Sequence, residues 1–541
     1  MRRTVPLLLV VTLALLGLGS PAQAESEQSR RPALVAETPS DSSPSAAATT
    51  TGFRFVDIVG SEGIVLKANV IEPTSAGRHP AIVLPSSWGL NDLEYLAQAQ
   101  RLAEGGYTVL SYTPRGWWTS GGTIDTAGPK DMADASKVVD WVIANTTADP
   151  AKIGMAGVSY GAGIGLLASA WDARIKVVAA MSGWSDLVAS LFGGDTRRLQ
   201  SSALLAGAAQ LLGHPSDELN AILADFYAYR NVEGIKEFAR IRSAATYLSA
   251  INANRPAILM ANAYGDSIFP PDQLSDFFTA LSVPKRLEFS PGDHAIPELT
   301  GLAGLPNHVW TSVRRWFDRY LMGLANGIDA EPPVVLRSMT GGPVESYASW
   351  AATTNSVRRH GLGPVSFWTG TGELGGSPAT GWGRSAEIDP DTVAYGGVIL
   401  LSNGLQALTG ITPTAWIPAV NRINAGVWIA DDDAALRIRG SAQAHLRIRP
   451  ERVKGTLVVY LYDMDWAGNG RLITHAPISW AGGAGVARDL DLRLPAVSWD
   501  VPSGHKLALV IDGFDGLYLD DNGPFDTVTF LGPSWLDVPI R

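Results

Sequence analysis

Residues 153–161 read Ile153-Gly154-Met155-Ala156-Gly157-Val158-Ser159-Tyr160-Gly161 and join an apolar run of strand length to a glycine-containing turn. A helix-length apolar stretch begins directly after Ser159. A strand, a sharp turn and a helix around G-x-S-x-G are typical of a nucleophile elbow, which presents the serine hydroxyl at the edge of a parallel sheet. A glycine-rich turn that only packs closely is the alternative. The pattern predicts an α/β fold and makes Ser159 the candidate nucleophile.

The chain on both sides of this turn alternates between short apolar runs and helix-length patterns, from Phe53 to about Leu324. Such alternation predicts a mostly parallel sheet with helices on both faces, here over residues 52–330. Residues 187–250 lack strand-like runs and contain three helical patterns, so we expect an inserted helical cap there. The predicted strands are 81–84, 108–112, 153–156, 177–180 and 257–260, and the predicted helices between them are 93–104, 130–144 and 160–171.

The chain after about Pro332 has a different pattern, in which apolar and polar residues alternate. An example is Ala444-His445-Leu446-Arg447-Ile448, and turns rich in Gly, Asn and Asp separate such runs. This alternation is typical of antiparallel strands with one buried face. The sequence therefore predicts an all-β sandwich or jelly roll over residues 331–541.

A serine hydroxyl becomes nucleophilic when a base takes its proton, and the base needs an acid that orients it. Around an elbow of this kind the acid and the histidine follow the serine in that order, each just after a strand. Asp266 follows the predicted strand 257–260, and His294 follows the apolar run 286–289. These two residues are therefore the expected acid and base. The positions that fit less well, because they fall on helices, are Asp272, Asp276 and His308.

An oxyanion hole needs two hydrogen-bond donors aimed at the developing negative charge. One donor is expected to be the backbone N–H of Tyr160, the residue after the nucleophile. The second is expected from the loop after strand 81–84, where the backbone N–H of Ser87 or Trp88, or the Trp88 indole, is available. In the alternative interpretation, Trp88 only forms a wall of the pocket.

Seventeen tryptophans are present, and several fall near the ends of predicted strands. We expect Trp117, Trp118 and Trp184 to form, with Trp88, an aromatic pocket for an apolar acyl group. Ordinary packing in the core and between domains explains the same residues equally well, so both interpretations stay open.

Composition excludes several classes of protein. The net charge of −10 and the absence of a Lys/Arg run give no electrostatic surface for nucleic acid. The absence of cysteine excludes disulfides, thiolate metal sites and a cysteine nucleophile. Residues 431–433 and 463–470 contain clustered acidic residues that are possible calcium ligands, but turn chemistry explains both. We expect no cofactor and no metal.

The N-terminus has the features of an export signal. Arg2 and Arg3 precede an almost wholly apolar run, and Ala22-Gln23-Ala24 offers a cleavage site before Glu25. The run is too short to span a membrane, which disfavours an uncleaved anchor. We expect a signal peptide over residues 1–24, a solvated tether over residues 25–51, and a secreted protein without a membrane span after processing.

Together these segments resemble the X-Pro dipeptidyl-peptidase/cocaine esterase family of serine hydrolases. The resemblance rests on the segments Gly157-Val158-Ser159-Tyr160-Gly161, Pro114-Arg115-Gly116-Trp117-Trp118-Thr119-Ser120-Gly121-Gly122, Trp316-Phe317-Asp318-Arg319-Tyr320-Leu321-Met322-Gly323 with Asn326-Gly327-Ile328 and Pro332-Pro333-Val334, and Leu457–Asp463 with Gly504-His505-Lys506-Leu507. It implies an α/β-hydrolase domain with a helical cap, a C-terminal jelly roll and a Ser-Asp-His triad. Two departures stand out: Trp88 lies where the family often has a tyrosine whose hydroxyl helps form the oxyanion hole, and Pro114 lies where an aspartate usually precedes Arg-Gly.

The resulting hypothesis is a secreted serine hydrolase that cleaves an ester or an amide through an acyl-enzyme. A carboxylesterase acting on small molecules is favoured, and an X-Pro dipeptidyl-peptidase acting on short peptides is the alternative. A protein of a different class, a hydrolase scaffold that binds glycan or cell wall without catalysis, is the third hypothesis. The sequence leaves the acyl group, the leaving group and the oligomeric state open.

Overall fold

The computed structural model of the protein describes residues 49–541. The predicted signal peptide and most of the predicted tether lie outside the described residues, and the first strand begins at Thr51, where the tether was expected to end. The helices are α1 (Leu96–Glu104), α2 (Pro129–Asn145), α3 (Tyr160–Trp171), α4 (Leu187–Leu191), α5 (Leu199–Leu212), α6 (Asp217–Ala228), α7 (Val232–Ile241), α8 (Leu248–Asn254), α9 (Asp272–Ala280), α10 (Ile296–Leu302), α11 (His308–Tyr320) and α12 (Leu401–Thr409).

Twelve strands occupy the chain up to residue 365 and thirteen follow. The first group is β1 (Thr51–Val59), β2 (Val65–Pro73), β3 (His79–Pro85), β4 (Thr108–Tyr112), β5 (Ala148–Val158), β6 (Ile175–Met181), β7 (Arg197–Arg198), β8 (Ala257–Ala263), β9 (Lys285–Ser290), β10 (Val334–Leu336), β11 (Glu345–Tyr347) and β12 (Ser356–Val365). The second group is β13 (Gly372–Leu374), β14 (Gly383–Glu387), β15 (Thr414–Trp416), β16 (Gly426–Ile429), β17 (Leu436–Gly440), β18 (Gln443–Pro450), β19 (Lys454–Met464), β20 (Asn469–Ala481), β21 (Arg488–Arg493), β22 (Val497–Val501), β23 (Lys506–Asp512), β24 (Tyr518–Leu519) and β25 (Thr527–Ile540).

The first sheet has ten strands in the order β1-β2-β4-β3-β5-β6-β8-β9-β10-β11. Its strands from β4 through β10 run parallel, whereas β1, β2 and β11 pair antiparallel at the edges. In a parallel sheet the carboxyl ends of the strands lie at one edge, so the loops that follow β3, β5, β8 and β9 are brought together. The predicted α/β-hydrolase class is confirmed.

Successive residues of β3 point to opposite faces of this sheet, and helices cover both faces. Ile82 and Leu84 pack with residues of α1 and α11. Ala81 and Val83 belong to the core that includes α2, α3 and α9. All four residues are fully buried, which explains why the strand is a continuous apolar run.

The first sheet continues beyond the boundary expected at residue 330. β10 pairs parallel with β9, and β11 pairs antiparallel with β10. The first sheet, and with it the first domain, therefore extends to Tyr347, and the expectation that residues 331–347 belong to the second domain is wrong. Each of these strands has only three residues, too few to show a period in the sequence.

Helices α4 to α8 occupy most of the segment in which a cap was expected. Arg242, whose side chain is almost fully buried, ties this cap to the first sheet's loops by donating to the carbonyl oxygen of Asp125 at 2.9 Å. It also donates to Glu218 on α6 at 3.1 Å, and its guanidinium lies over the ring of Phe238. One side chain thus joins two cap helices to the loop before α2.

The second sheet has thirteen strands, and β12 and β25 pair antiparallel within its strand order; we call this C-terminal all-β domain the jelly roll, after the expectation from the sequence. Its inward residues alternate with polar ones, as predicted for 444–448, where Ala444, Leu446 and Ile448 are buried. The predicted all-β class is confirmed.

The jelly roll contacts the cap directly. Strand β7 of the cap pairs antiparallel with β24 of the jelly roll, and Arg197 forms an ion pair with Asp521 at 3.0 Å. Thr196 and Ser479 share a hydrogen bond of 2.8 Å. All of these residues belong to one compact unit. Within residues 49–541, the helices are too short or too polar to cross a membrane.

Candidate active site

Ser159 lies at the turn between β5 and α3 with φ 56° and ψ −114°, a left-handed conformation that side chains rarely adopt. The two glycines of the motif make room for this turn. A Cβ at Gly161 would lie 2.1 Å from the carbonyl oxygen of Pro85, and a Cβ at Gly157 would lie 2.5 Å from the backbone of Gly161. The spacing G-x-S-x-G therefore follows from steric necessity at both positions.

The structure brings Ser159, Asp266 and His294 together. The Nε2 atom of His294 lies 2.8 Å from Oγ of Ser159, and its Nδ1 lies 3.0 Å from Oδ2 of Asp266. The other carboxylate oxygen of Asp266 accepts the N–H groups of Ile268 at 3.0 Å and Phe269 at 2.7 Å. The acid is thereby fixed, and it can hold the imidazole in the tautomer that leaves Nε2 free to take a proton.

The pKa of His294 is set by opposing effects. Burial is the largest single effect and lowers it, but the carboxylate of Asp266, together with those of Asp293 and Glu298, more than offsets burial and raises the pKa above 6.5. A base with a raised pKa is strong enough to deprotonate serine at neutral pH, and it is lost as the pH falls below that pKa.

Asp293 is a site residue that sequence reasoning missed. Its Oδ1 accepts the N–H of His294 at 2.7 Å, and both the N–H and the hydroxyl of Ser267, at 2.8 and 2.7 Å. Burial, and then the neighbouring Asp266 carboxylate, raise the pKa of Asp293 to about 6. The side chain ties the histidine loop to the acid loop. The only feature of the sequence that indicated a role for Asp293 is that it directly precedes His294.

Ser182 and Glu298 form a second support behind the histidine. The hydroxyl of Ser182 accepts the N–H of Ala295 and donates to the fully buried carboxyl of Glu298, both at 3.1 Å. Burial raises the pKa of Glu298 to about 7. Nothing in the sequence near Glu298 distinguishes it from an ordinary helix residue.

The expected second oxyanion donors are only partly available. The N–H of Ser87 is occupied, because it donates to Oε2 of Glu94 at 2.6 Å, and the Trp88 indole donates to the carbonyl oxygen of Leu205 at 2.9 Å. The Ser87 and indole assignments are therefore wrong. The peptide N–H of Trp88 has no acceptor among residues 49–541, and the N–H of Tyr160, at the first position of α3, has no acceptor within the helix. These two N–H groups are the remaining donors.

A large apolar pocket opens beside Ser159 under the cap. Its cavity has a volume of about 110 Å³. Its lining combines elbow residues with all of the first four cap helices, and includes Tyr160, Trp184, Leu187, Leu191, Phe192, Leu205, Ala206, Ala209, Leu219, Ile222, Phe226, Ile235, Phe238 and Phe269. The expected cap therefore roofs the pocket.

Of the four tryptophans expected in the pocket, two line it and two do not. Trp184 lines it and stacks on Tyr160 at 6.2 Å between ring centroids. Trp88 also lines it, and packs edge-on against Tyr160 at 5.1 Å. Trp117 does not line it, because it is fully buried behind Trp88, and Trp118 is half-exposed with its indole bound to the carbonyl oxygen of Gly89. The expectation is wrong for Trp117 and Trp118.

Tyr160 is anchored below the pocket floor. Its hydroxyl donates to Oδ2 of Asp131 at 2.7 Å and accepts the N–H of Ala127 at 2.9 Å. Burial, and then Asp125, raise the pKa of Asp131 to about 8. The side chain of Tyr160, whose N–H is an expected oxyanion donor, is thus fixed through its hydroxyl by two hydrogen bonds.

The jelly roll supports the acid loop. The amide of Asn403, on α12, donates to the carbonyl oxygen of Gly265 at 2.8 Å, and the N–H of Leu400 reaches the hydroxyl of Ser267 at 3.4 Å. Asp272 and Asp276 on α9, the alternatives to Asp266, both pair instead with Arg493 of the jelly roll. His308 begins α11 and bonds to Ser290, away from the triad.

The acidic residues considered as calcium ligands are engaged within the protein. Asp463 is buried and accepts from His505 at 2.7 Å and from Trp499 at 3.1 Å. Asp465 accepts the N–H groups of Ala467 and Asn469, which closes a turn. Asp432 closes another turn with Ala434 and pairs with Arg358. Across the described part of the chain, the His, Asp and Glu residues form no cluster with the geometry of a metal site.

Comparisons with solved structures show the same two-domain fold. An α-amino acid ester hydrolase is 17% identical, with a TM-score of 0.67, over 94% of this chain and 100% of that one. An aminopeptidase from a marine sediment archaeon, Thaumarchaeota archaeon, is 15% identical with a TM-score of 0.68, over 95% and 100% of the two chains. A CocE/NonD family hydrolase from Staphylococcus aureus is 12% identical with a TM-score of 0.68, over 92% and 99%.

Curated relatives match parts of the chain. The acyltransferase drtE of Aspergillus calidoustus is 23% identical over 275 residues, 44% of this chain and 86% of the relative. An uncharacterized 31.7 kDa protein in the traX-finO intergenic region of Escherichia coli is 28% identical over 135 residues, 25% of this chain. The chain spans about half the length of that relative, 46%.

Two family models match the chain where its two domains lie. The model for X-Pro dipeptidyl-peptidase (S15 family) matches residues 62–296, and the model for the X-Pro dipeptidyl-peptidase C-terminal non-catalytic domain matches residues 433–533. Together the matches span more than half of the chain, in the order of the two folded parts. The chain belongs to the S15 family of serine hydrolases, and its α/β-hydrolase domain is followed by an all-β domain that matches the C-terminal non-catalytic model.

Proposed function

We propose that the protein is a carboxylesterase-type serine hydrolase that cleaves esters with an apolar acyl group through an acyl-enzyme on Ser159. The observation that supports this most directly is the lining of the pocket beside Ser159, which consists almost wholly of aliphatic and aromatic side chains. Burying an acyl chain there is favourable by about 0.8 kcal/mol for each methylene group.

In the proposed reaction, Nε2 of His294 takes the proton of Ser159 while Oγ attacks the ester carbonyl carbon. The carbonyl oxygen becomes an oxyanion, which accepts the N–H groups of Tyr160 and Trp88. The protonated His294 then gives its proton to the leaving alkoxide oxygen, and the acyl group stays on Ser159. A water molecule repeats the sequence, with His294 as its base, and releases the acid.

The pocket argues against a dipeptide or α-amino acyl substrate. An N-terminal ammonium brought into an apolar pocket needs a charged partner, since an unpaired buried charge is costly. No aspartate or glutamate is among the residues that line this pocket, and its one ionisable lining side chain other than Tyr160 is a cation, Lys236. X-Pro dipeptidyl-peptidase activity is therefore the alternative to be tested rather than the proposal.

A substrate panel tests the proposal. We expect kcat/KM for p-nitrophenyl esters to rise from the acetyl to the hexanoyl ester, with no measurable cleavage of Gly-Pro-p-nitroanilide or of a phenylglycine methyl ester. Faster cleavage of the X-Pro amide would overturn the proposal in favour of the peptidase. Absence of labelling by a fluorophosphonate probe, with Ser159→Ala as the control, would favour a non-catalytic binding protein.

We also propose that the protein is exported, on the basis of the basic, apolar and Ala-x-Ala segments of residues 1–24. The expected mature N-terminus is Glu25. Sequencing the N-terminus of the protein from culture medium and from whole cells tests this, and a full-length chain retained inside the cells would contradict it.

A further inference from the structure

The loop that carries Trp88, the second expected oxyanion donor, is fastened to the nucleophile elbow by two hydroxyl groups, those of Ser87 and Tyr95. Oγ of Ser87 lies 2.5 Å from Oε1 of Glu94 and 2.9 Å from the carbonyl oxygen of Val158, the residue before the nucleophile. The N–H of Val158 in turn donates to the hydroxyl of Tyr95 at 2.9 Å. Both polar groups of the Val158 backbone are therefore held from the side of the oxyanion loop.

The charge of Glu94 decides whether Ser87 can bond to both Glu94 and Val158. A serine hydroxyl has one proton, and when Glu94 is ionised it lies near two oxygens that only accept from it, those of Glu94 and Val158, with the hydroxyl of Tyr95 farther away at 3.5 Å. If Ser87 donates to Val158, the short contact with Glu94 is a hydrogen bond only when Glu94 is protonated and donates to Ser87. If Glu94 is ionised, the Ser87 hydroxyl donates its hydrogen bond to the Glu94 carboxylate, and the Val158 carbonyl oxygen loses its donor.

The surroundings of Glu94 favour the neutral acid. Burial raises the pKa of Glu94 to about 7, although hydrogen bonds from the hydroxyl and the N–H of Ser87 act in the opposite direction. The ionisable group that faces it is the hydroxyl of Tyr95, and the elbow contributes only the peptide of Val158. Asp92 on the same loop is engaged with Asn69 and Thr113. Among the described residues, no cation pairs with Glu94.

We propose that Glu94 acts as a neutral carboxylic acid that clamps the oxyanion loop onto the nucleophile elbow, and that its ionisation slows turnover. Ionisation would release the Val158 carbonyl and place a negative charge against the N–H of Ser87, one residue from the Trp88 donor. A negative charge there opposes the oxyanion that forms in the transition state. Glu94 is thus a positioning residue, and the proposal rests on Ser159 being the nucleophile.

The pH profile of Glu94→Gln tests this, because glutamine donates and accepts in the same places but does not ionise. We expect kcat for a p-nitrophenyl ester to agree with that of the unmodified protein within about threefold at pH 6, and to exceed it by about tenfold at pH 9, with KM unchanged. The unmodified protein should lose kcat as the pH rises through about 7. Glu104→Gln, at the end of α1, is the matched control and should keep the unmodified profile.

Two further measurements make the test independent of substrate and of folding. The rate of Ser159 labelling by a fluorophosphonate should show the same two profiles, and a Ser159 that does not react at all would overturn the proposed function rather than the role of Glu94. Ser87→Ala keeps its N–H but cannot bond to Val158, so its kcat at pH 6 should fall about tenfold. Superimposable profiles for Glu94→Gln and the unmodified protein, or full activity of Ser87→Ala, would overturn the proposal.

Discussion

Asp266 is the side chain whose chemistry is easiest to separate from its packing. Asparagine keeps the shape and can still accept the N–H groups of Ile268 and Phe269, but it presents an N–H group to Nδ1 of His294. The imidazole then holds its proton on the wrong nitrogen. We expect Asp266→Asn to lower kcat for an ester by about 10⁴-fold at pH 7 with little change in KM.

Steady-state kinetics on the purified variant checks this, with thermal unfolding to show that the fold is kept. Asp57→Asn, on the exposed face of β1, is the control and should keep full activity. A loss of less than tenfold in Asp266→Asn would mean that another group orients the histidine.

Asp293 offers a second prediction at this scale, on pH dependence. Its carboxylate is one of the groups that raise the pKa of His294, and above about pH 6 it is ionised. Asp293→Asn keeps an acceptor for His294 and Ser267 but removes the charge, so the pKa of His294 should fall. The neutral base then persists to lower pH, and the acid limb of kcat/KM should move down by about half a pH unit. An unchanged or upward-shifted limb would contradict this assignment.

Helix α5 determines how much room the pocket leaves for an acyl chain. Ala206 lines the pocket. In Ala206→Phe, the added ring should displace about two methylene groups of a long acyl chain. At about 0.8 kcal/mol each, this lowers kcat/KM for an octanoyl ester by about 15-fold and leaves the acetyl ester unaffected. Leu211→Phe places the same ring on an exposed position of the same helix and is the control. Equal losses on both esters would mean that Ala206 does not face the acyl chain.

The positions of some helices and strands could be predicted from the sequence. Strand β4 and helix α3 occur at the predicted residues, because fully buried strands are continuous apolar runs and the elbow fixes where the helix begins. The triad was predictable because this fold orders its members along the chain.

The failures have a different physical origin. The backbone N–H of Ser87 and the indole N–H of Trp88 were expected to be oxyanion donors. They cannot serve, because the first donates to Glu94 and the second to Leu205. One partner is 7 residues away and the other 117, and neither distance has a sequence signature. Trp117 and Trp118 were wrongly placed in the pocket for a similar reason. The apolar character of a tryptophan does not tell whether its ring faces the pocket, the core or solvent.

The whole molecule depends on contacts between its two domains. Asn403 of the jelly roll holds the acid loop, and Arg493 pairs with Asp272 and Asp276 on α9. Because the first sheet ends at Tyr347, a truncation that removes residues 349–541 keeps every strand of that sheet and all three triad residues. We expect this chain to be insoluble or inactive, since it loses support for the acid loop and exposes the docking surface.

Ester turnover and thermal unfolding of the truncated protein, beside the full-length protein, decide this. Turnover near the full-length level would show that the jelly roll is an independent module. A soluble but inactive chain would locate the requirement in the acid loop rather than in folding.

The pairing of β7 with β24 also has a consequence for the synthesis of the chain on the ribosome. Arg197 and Asp521, which meet there, are 324 positions apart along the chain. At roughly 5–20 residues per second, a ribosome needs about 16–65 s to travel from one to the other. Once His294 has been added, the growing chain contains the serine, the acid and the histidine, but strand β7 of the cap still lacks its partner β24. We therefore expect hydrolysis to begin only after the final strands have been synthesised, when nearly the whole message has been translated.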